Sequence, residues 1–415
     1  MLSYEELQTL LKKEGQEHLL RFYDELSAEE QASLARQIER VDFSLIDYFK
    51  QKNFNKGEHK EEDKKELAPM KIMSLAEIEA QKESLYAEGV KLLKAQKVGA
   101  ILLAGGQGSR LGVSGPKGKV DIGVTKTVYI FEMLIRNLMD VVNGAGAWVP
   151  LFVMTSEKND AETREFFAEQ DFFGYNKDFV HFYMQDMMPA VDFEGKILLE
   201  GKGQIAFSPN GNGGWFSSLV KSGLIDAVNA YGIEWLNVFA VDNVLQRIAD
   251  PCFVGASSLS GTNCGAKVVR KNHPDEKVGV LCLENGQPNI VEYYELTDTL
   301  RNAKDENGDY LYAGGVILNY LFRLSKLHEI NNLQMPYHIA EKKIPYVDGE
   351  GKLVTPAENN GYKFETLVLS MIRLCGDCLP YEIVREKEFA PIKNRAGVDS
   401  VESARELLRL NGVEL

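Results

Sequence analysis

Apolar residues recur at roughly helical spacing through the first fifty positions. In "SYEELQTLLKKEGQEHLLRFYDEL" they are Leu7, Leu10, Leu11, Leu19, Leu20 and Phe22, a spacing that gives each helix one buried stripe. Ser3 with Glu6, and Ser27 with Glu30, read as capping boxes. The charge run "KGEHKEEDKKEL" predicts a solvated connector over residues 51–67. A further capped helix, "SLAEIEAQKESLYAEGVKLLKAQ", follows it.

From Val98 the period changes. Short apolar stretches read as strands: "VGAILLA", "VPLFVMTS", "FVHFYMQ", "WLNVFAVD", "KVGVLCL" and "NIVEYYEL". Between several of them lie helical patterns, "TVYIFEMLIRNLMDVV", "DAETREFFAEQD" and "WFSSLVKSGLIDAVNAYG". Alternation of this kind predicts an α/β fold whose largely parallel sheet is covered on both faces. In such sheets ligands bind beyond the carboxyl ends of the strands. The pattern weakens from about residue 346, and one long apolar helix is expected near 363–375. The expected organisation is an N-terminal helical region over 1–95, an α/β domain over 96–345 and a C-terminal segment over 346–415.

At 415 residues and 44% hydrophobic, the chain can bury a large core. A formal net charge of −14 argues against nucleic acid or an anionic membrane as a partner held by charge alone. The polar N-terminus does not resemble a signal peptide, and no apolar run is long enough to span a bilayer, so a cytoplasmic location is expected. Five cysteines, scattered and odd in number, do not form a disulfide framework. Cys375 and Cys378 make a lone C-x-x-C, which reads as a helix end with Gly376 as the stop and Pro380 beyond it.

The stretch "LLAGGQGSRLGVSGPKG", residues 102–118, holds six glycines, Arg110, Lys117 and no acid. It fits neither common phosphate loop. Gly106, Gly108 and Gly112 are spaced one residue too widely for a dinucleotide fingerprint, which disfavours a dehydrogenase, and Gly118-Lys119 lacks the following Ser or Thr of a Walker loop. The physics of phosphate binding survives both mismatches. Backbone N–H groups of Gly105, Gly106 and Gly108 can surround phosphate oxygens beside a guanidinium and an ammonium.

The run "LAGGQGSRLGVSGPKG" resembles the signature L-x-x-G-G-x-G-T-R-L-G-x-x-x-P-K of the UDP-sugar pyrophosphorylases, with Ser109 in place of Thr. "MTSEKNDAETREFF", "QDMMPAVDFEGKILL", "NGNGG", "VDNVLQRIADPCFVG", "CGAKVV", "IVEYYEL", "AEKKIPYVDGEGK" and "FAPIKN" agree in order and spacing, so the resemblance covers most of residues 90–395. The nearest branch is the UDP-N-acetylhexosamine pyrophosphorylases. The resemblance implies a nucleotidyltransferase α/β domain, glycosyltransferase-A-like, that makes a UDP-sugar and pyrophosphate from UTP and a sugar 1-phosphate. Longer family members continue past the "KN" segment into another domain, which is expected to be missing or reduced in a chain ending at Leu415.

In that reaction the attacking sugar phosphate is already an anion. The site must align two anions and offset charge at the α-phosphate, and it needs no protein base. Arg110 and Lys117 suit this task, and the resemblance adds Lys393 of "FAPIKN", by itself an ordinary surface lysine. Asp242, at the end of "WLNVFAVD", can ligate Mg²⁺ or cap a turn, and the resemblance favours the metal. Gln185 carries an amide that can pair with a uracil edge. Gly211 and Asn212 of "NGNGG" read as a nucleotide loop or a hairpin turn, and the resemblance favours the loop. It also puts Gly279 and Glu292 on the sugar. There the family shows N-A-G-N before a hydrophobic helix, whereas this chain reads Tyr312-Ala313-Gly314-Gly315. Gly315 therefore lacks a sugar-binding amide and is expected to open space, with Asn319 or a water as an alternative partner. The first reading is UDP-N-acetylglucosamine formation. Its rivals are UDP-glucose or UDP-galactose formation and a nucleotide-binding regulator without catalysis.

Overall fold

The computed structural model describes residues 1–54, 66–333 and 335–415. The expected connector therefore lies largely outside the described residues. The chain forms two compact units, each discontinuous in sequence. They cut across the three consecutive stretches expected from chain order, because segments far apart in sequence share one apolar core.

The smaller unit comprises Met1–Lys64, Asp186–Gly214 and Pro336–Leu367. Its helices Tyr4–Glu14 and Ala28–Arg40 start at the two expected capping boxes, with both reciprocal bonds made. Leu7, Leu11, Leu34, Ile38 and Phe49 pack against Val191, Ile197 and Phe364. Residues at the start of the expected apolar helix near 363–375 are instead a strand, Gly361–Glu365, paired with His338–Lys342 and Val191–Asp192. Gly361 explains why. A Cβ there would lie 2.2 Å from the Val191 carbonyl oxygen, so only bare backbone can make this approach. The helix proper is Val368–Cys375 and stops at Gly376, whose φ is +83°.

The larger unit comprises Lys65–Gln185, Trp215–Met335 and Val368–Leu415. Ten strands form one mixed sheet: β1 (Leu67–Pro69), β2 (Val98–Leu103), β3 (Leu151–Thr155), β4 (Val180–Met184), β5 (Trp235–Ala240), β6 (Cys264–Arg270), β7 (Val280–Glu284), β8 (Gln287–Val291), β9 (Gly314–Arg323) and β10 (Leu379–Glu382). Strands β5, β2, β3 and β4 are neighbours in that order and run parallel. Every residue of β2 is buried. Ala100 and Leu102 join the core on one face with helix Ile130–Ala145, while Ile101 and Leu103 join Trp215 and Met371 on the other. This two-sided burial is why β2 reads as a continuous apolar run.

Three local expectations need correction. The segment after Gly315 is β9 and not a helix. It runs antiparallel to β5, β6 and β7, and its β-branched and aromatic residues suit that pairing. A bulge against β6 falls where Leu318 takes a φ of +54°. Residues 75–94 form two helices, Leu75–Ala80 and Lys82–Lys94, broken at Gln81, and 215–231 form two, Trp215–Lys221 and Ile225–Tyr231, with Gly223 at φ +79° between them.

Helices Lys82–Lys94 and Pro251–Ser260 touch backbone to backbone. A Cβ on Gly255 would lie 1.9 Å from the Leu85 carbonyl oxygen. Gly144, near the end of helix Ile130–Ala145, meets only the Tyr86 hydroxyl at 3.7 Å. Gly255→Ala is therefore expected to destabilise by about 1–3 kcal/mol through overpacking, whereas Gly144→Ala should stabilise by about 0.4–1 kcal/mol. Urea midpoints of the two variants check this opposition. Equal midpoints would remove the close helix crossing.

Candidate active site at the carboxyl ends of β2 and β5

The glycine loop begins where β2 ends. Asn159 secures its first turn: Nδ2 donates to the Ala104 carbonyl at 2.9 Å, and Oδ1 accepts from Ser156 N–H at 2.7 Å. The loop then folds back on itself. Gly108 N–H donates to the Gly115 carbonyl at 2.9 Å, and Lys117 N–H to the Gly106 carbonyl at 3.2 Å. This brings Lys117 beside the start of the loop. Gly106 has no atom within 4 Å of where its Cβ would be, so its exposed backbone faces open space. A Cβ on Gly105 would sit 2.9 Å from Gln185 Oε1, which places the Gln185 carboxamide against the loop.

Not every glycine faces a ligand. A Cβ on Gly115 would meet the Glu162 carboxylate at 2.5 Å, and one on Gly118 the Phe131 ring at 2.3 Å. Glu162 also pairs with Lys119 at 2.6 Å. The loop sequence contains no acid, but the fold delivers one from helix Asp160–Glu169.

Asp242 lies two residues past β5, whose Ala240 is in register with Leu103 at the end of β2. Its Oδ2 is 3.8 Å from Lys117 Nζ, with the two side chains 26% and 15% exposed. Burial pushes the Lys117 ammonium below the ordinary lysine range. Asp242 pulls it back up, while Lys393 and Arg110 push it further down. All four groups therefore share one electrostatic neighbourhood, although Arg110 itself is exposed. Lys393 arrives because residues 388–392 dock along the turn after β5. Ile392 N–H donates to the Asp242 carbonyl at 2.8 Å, Ala390 N–H to Asn243 Oδ1 at 2.9 Å, and Asn243 Nδ2 to the Glu388 carbonyl at 2.8 Å.

Among the described residues no group of three or more His, Cys, Asp or Glu side chains is arranged to hold a metal ion. Asp242 offers one partly exposed carboxylate. That fits Mg²⁺, which takes one or two carboxylates and fills its octahedron with phosphate oxygens and water.

The expected sugar residues also meet. Val280 pairs with both Val291 and Gly315, and Glu292 Oε1 is 3.7 Å from the Cβ position of Gly279. Gly315 opens no space, however. Its Cβ position is 2.8 Å from Val278 Cγ2 and 3.4 Å from the Val269 carbonyl oxygen. Asn319 is not a substitute partner, since it is fully buried, accepts from Asn237 Nδ2 at 2.8 Å and donates to Gln246 Oε1 at 3.3 Å. Gly211 and Asn212 belong to the smaller unit. Gly211, at φ +82°, lies against Thr366, whose carbonyl oxygen would be 2.3 Å from a Cβ, and Asn212 opens a 3₁₀ turn rather than a hairpin.

Reading the sequence missed Asn159, Glu162, Asn243 and Asp399. The pair Asn159-Asp160 before an amphipathic helix was a usable signal, because such residues bond nearby backbone. Glu162 and Asn243 act across long sequence separations, and Asp399 lies in an irregular loop just past Lys393 that carries no periodic signal.

Residues 43–409 match the UTP–glucose-1-phosphate uridylyltransferase family. The chain belongs to that family. It is 36% identical over 411 residues to the UDP-N-acetylhexosamine pyrophosphorylase-like protein 1 of Mus musculus, covering 95% of this chain and 81% of that protein. It is 33% identical over 407 residues to the UDP-N-acetylglucosamine pyrophosphorylase of Saccharomyces cerevisiae, covering 92% and 84%. The crystal structure of the Trypanosoma brucei uridine diphosphate N-acetylglucosamine pyrophosphorylase, solved with an inhibitor, superposes with a TM-score of 0.81 at 28% identity, covering 98% of this chain and 85% of that one. Among the described residues no helix is long and apolar enough to cross a membrane.

Val278 makes the Gly315 position testable. Gly315→Asn should lower the thermal midpoint, at a cost of about 1–3 kcal/mol for overpacking, and Gly315→Asn combined with Val278→Ala should recover most of it. A single variant as stable as the wild type would show that the position has room after all.

Proposed function

We propose that this uridylyltransferase joins UTP and N-acetylglucosamine 1-phosphate into UDP-N-acetylglucosamine and releases pyrophosphate. The gathering of Lys117, Asp242 and Lys393 beside an open glycine backbone carries the reading. The relatives' names support the acetamido sugar. A sugar phosphate oxygen attacks the α-phosphorus of UTP, a new P–O bond forms, and the bond to the bridging oxygen of pyrophosphate breaks. The chain's task is to hold the two anions in line and offset their charge. The backbone of Gly105 and Gly106 lies along the phosphates, Arg110, Lys117 and Lys393 supply positive charge, and the expected Gly108 N–H is instead spent on the Gly115 carbonyl, where it closes the loop. Gln185 reads the uracil edge from its place against Gly105, and Glu292 accepts from sugar hydroxyls beside Gly279. Mg²⁺ held by Asp242 would neutralise phosphate charge at the reacting centre. A cytoplasmic location belongs to the same proposal, and the five free cysteines suit a reducing compartment.

Pyrophosphate release from UTP with a panel of sugar 1-phosphates tests the reading. The N-acetyl sugar should be used best. Preference for glucose 1-phosphate would favour UDP-glucose formation, and UTP binding without turnover of any sugar would favour a regulator. In the active enzyme, Lys117→Ala should lower kcat/KM about a hundredfold, as when one preorganised charge-stabilising donor is removed. Near-normal turnover would remove the loop from the chemistry. Asp242→Asn, which keeps an oxygen but loses the charge, should shift the Mg²⁺ activation curve to higher concentration. An unchanged curve would make Asp242 a turn cap.

A further inference from the structure

Asp399 has no part in the chemistry described above, yet its backbone and its side chain both turn toward Lys393. Its carbonyl accepts from Lys393 N–H at 2.6 Å and from Asn394 N–H at 2.9 Å. Asn394 Nδ2 closes the same loop on the Val398 carbonyl at 2.8 Å. Immediately after it, the fully buried Ser400 caps helix Val401–Leu410. The loop carrying Lys393 is therefore clamped at its far end, and Asp399 is where the clamp acts. Asp399 holds a left-handed backbone, φ +57°, which few residues other than Gly, Asn and Asp accept.

Its Oδ2 lies 3.9 Å from Lys393 Nζ, with the side chains 31% and 48% exposed. This repeats the Lys117–Asp242 separation of 3.8 Å. Both distances exceed the usual hydrogen-bond length, so each ammonium is drawn to a carboxylate at ion-pair range and not locked by a short bond. The two pairs also feel each other. Asp242 acts on Asp399, whose carboxyl is raised mainly by burial, and Lys393 and Arg110 act on Lys117. Without Asp399, Lys393, which is 48% exposed, would lose the carboxylate paired with its ammonium, and the surroundings of Asp242 would become more positive.

Building on the functional reading above, we propose that Asp399 is a positioning residue that keeps the Lys393 ammonium turned toward the phosphates before substrate arrives. The charge balance predicts a signature that general damage would not give. Removing the carboxylate makes the site more positive, so the KM for UTP should stay level or fall. Turnover should fall because Lys393 is no longer held in place.

The experiment compares Asp399→Asn, Lys393→Ala and the double variant by steady-state kinetics with UTP and the preferred sugar 1-phosphate. Asparagine tolerates the left-handed backbone, and Asp399→Gly serves as a second variant with the same freedom. Each should lower kcat by about fivefold to tenfold, the loss expected when a reacting group is misplaced rather than removed, without raising KM and with a thermal midpoint close to wild type. In the Lys393→Ala background, Asp399→Asn should cost nothing further. Unchanged kcat, a raised KM, or an equal loss in both backgrounds would overturn the assignment. An inactive wild type would overturn the functional reading instead, so the two failures are distinguishable.

Discussion

Lys267 lies in the middle of β6 with no exposure to water, and its ammonium donates to the Arg247 carbonyl at 3.0 Å, Asp250 Oδ2 at 3.2 Å and Glu388 Oε2 at 2.5 Å. A buried ammonium is costly unless such partners surround it, and deleting one member of a buried ion cluster typically costs about 3–5 kcal/mol. Burial raises the Glu388 carboxyl, while Lys267 and Arg247 hold Asp250 low despite its burial. The cluster joins three pieces of chain: β6, the turn after β5 and the segment leading to Lys393. Asp242 and Lys393 both hang from these last two pieces. The reacting centre thus depends on an ion cluster that takes no part in the chemistry.

A polar ladder holds the same turn from the sheet side. Asn237 accepts from Ala249 N–H at 2.7 Å and donates to Asn319, while Gln246 donates to the Ala240 and Asn243 carbonyls at 2.7 and 2.9 Å. With the ion cluster on one side and the ladder on the other, Asp242 is fixed before any substrate binds. Fixed charges in a partly buried cleft stabilise a reacting anion well because they need not reorganise when it forms.

Much of this was legible in the sequence, for identifiable reasons. Strands β2, β3 and β5 stand out because two-sided burial demands continuous apolar runs, and Ser3 and Ser27 because capping is local. The phosphate loop is legible because six glycines beside two cations seldom serve packing alone, even though Gly115 and Gly118 turn out to do so. What local pattern could not carry was contact between distant segments. Strand β9 opens on a Gly-Gly step and could pass for an apolar helix, since its strand character comes from its neighbours. Gly315 suggested a vacant pocket only because Val278 cannot be placed beside it without the fold. Asn319 looked available until its buried partners were known, and the smaller unit had to gather three separate stretches before its core existed.

The Lys267 cluster also sets an order of events during synthesis. Lys267 and Glu388 stand 121 residues apart, and a chain made from its N-terminus exposes the lysine long before its second carboxylate partner. Strands β2 to β5 and the glycine loop are synthesised early, but β5 still waits for β9 and β2 for Met371 before their pairing and packing are complete. The second lysine of the phosphate site cannot be seated until the stretch from Glu388 to Asp399 has left the ribosome and docked. A stalled or clipped chain would carry the loop without the means to turn over substrate. The ion cluster thereby makes synthesis through Asp399 a condition of chemical competence.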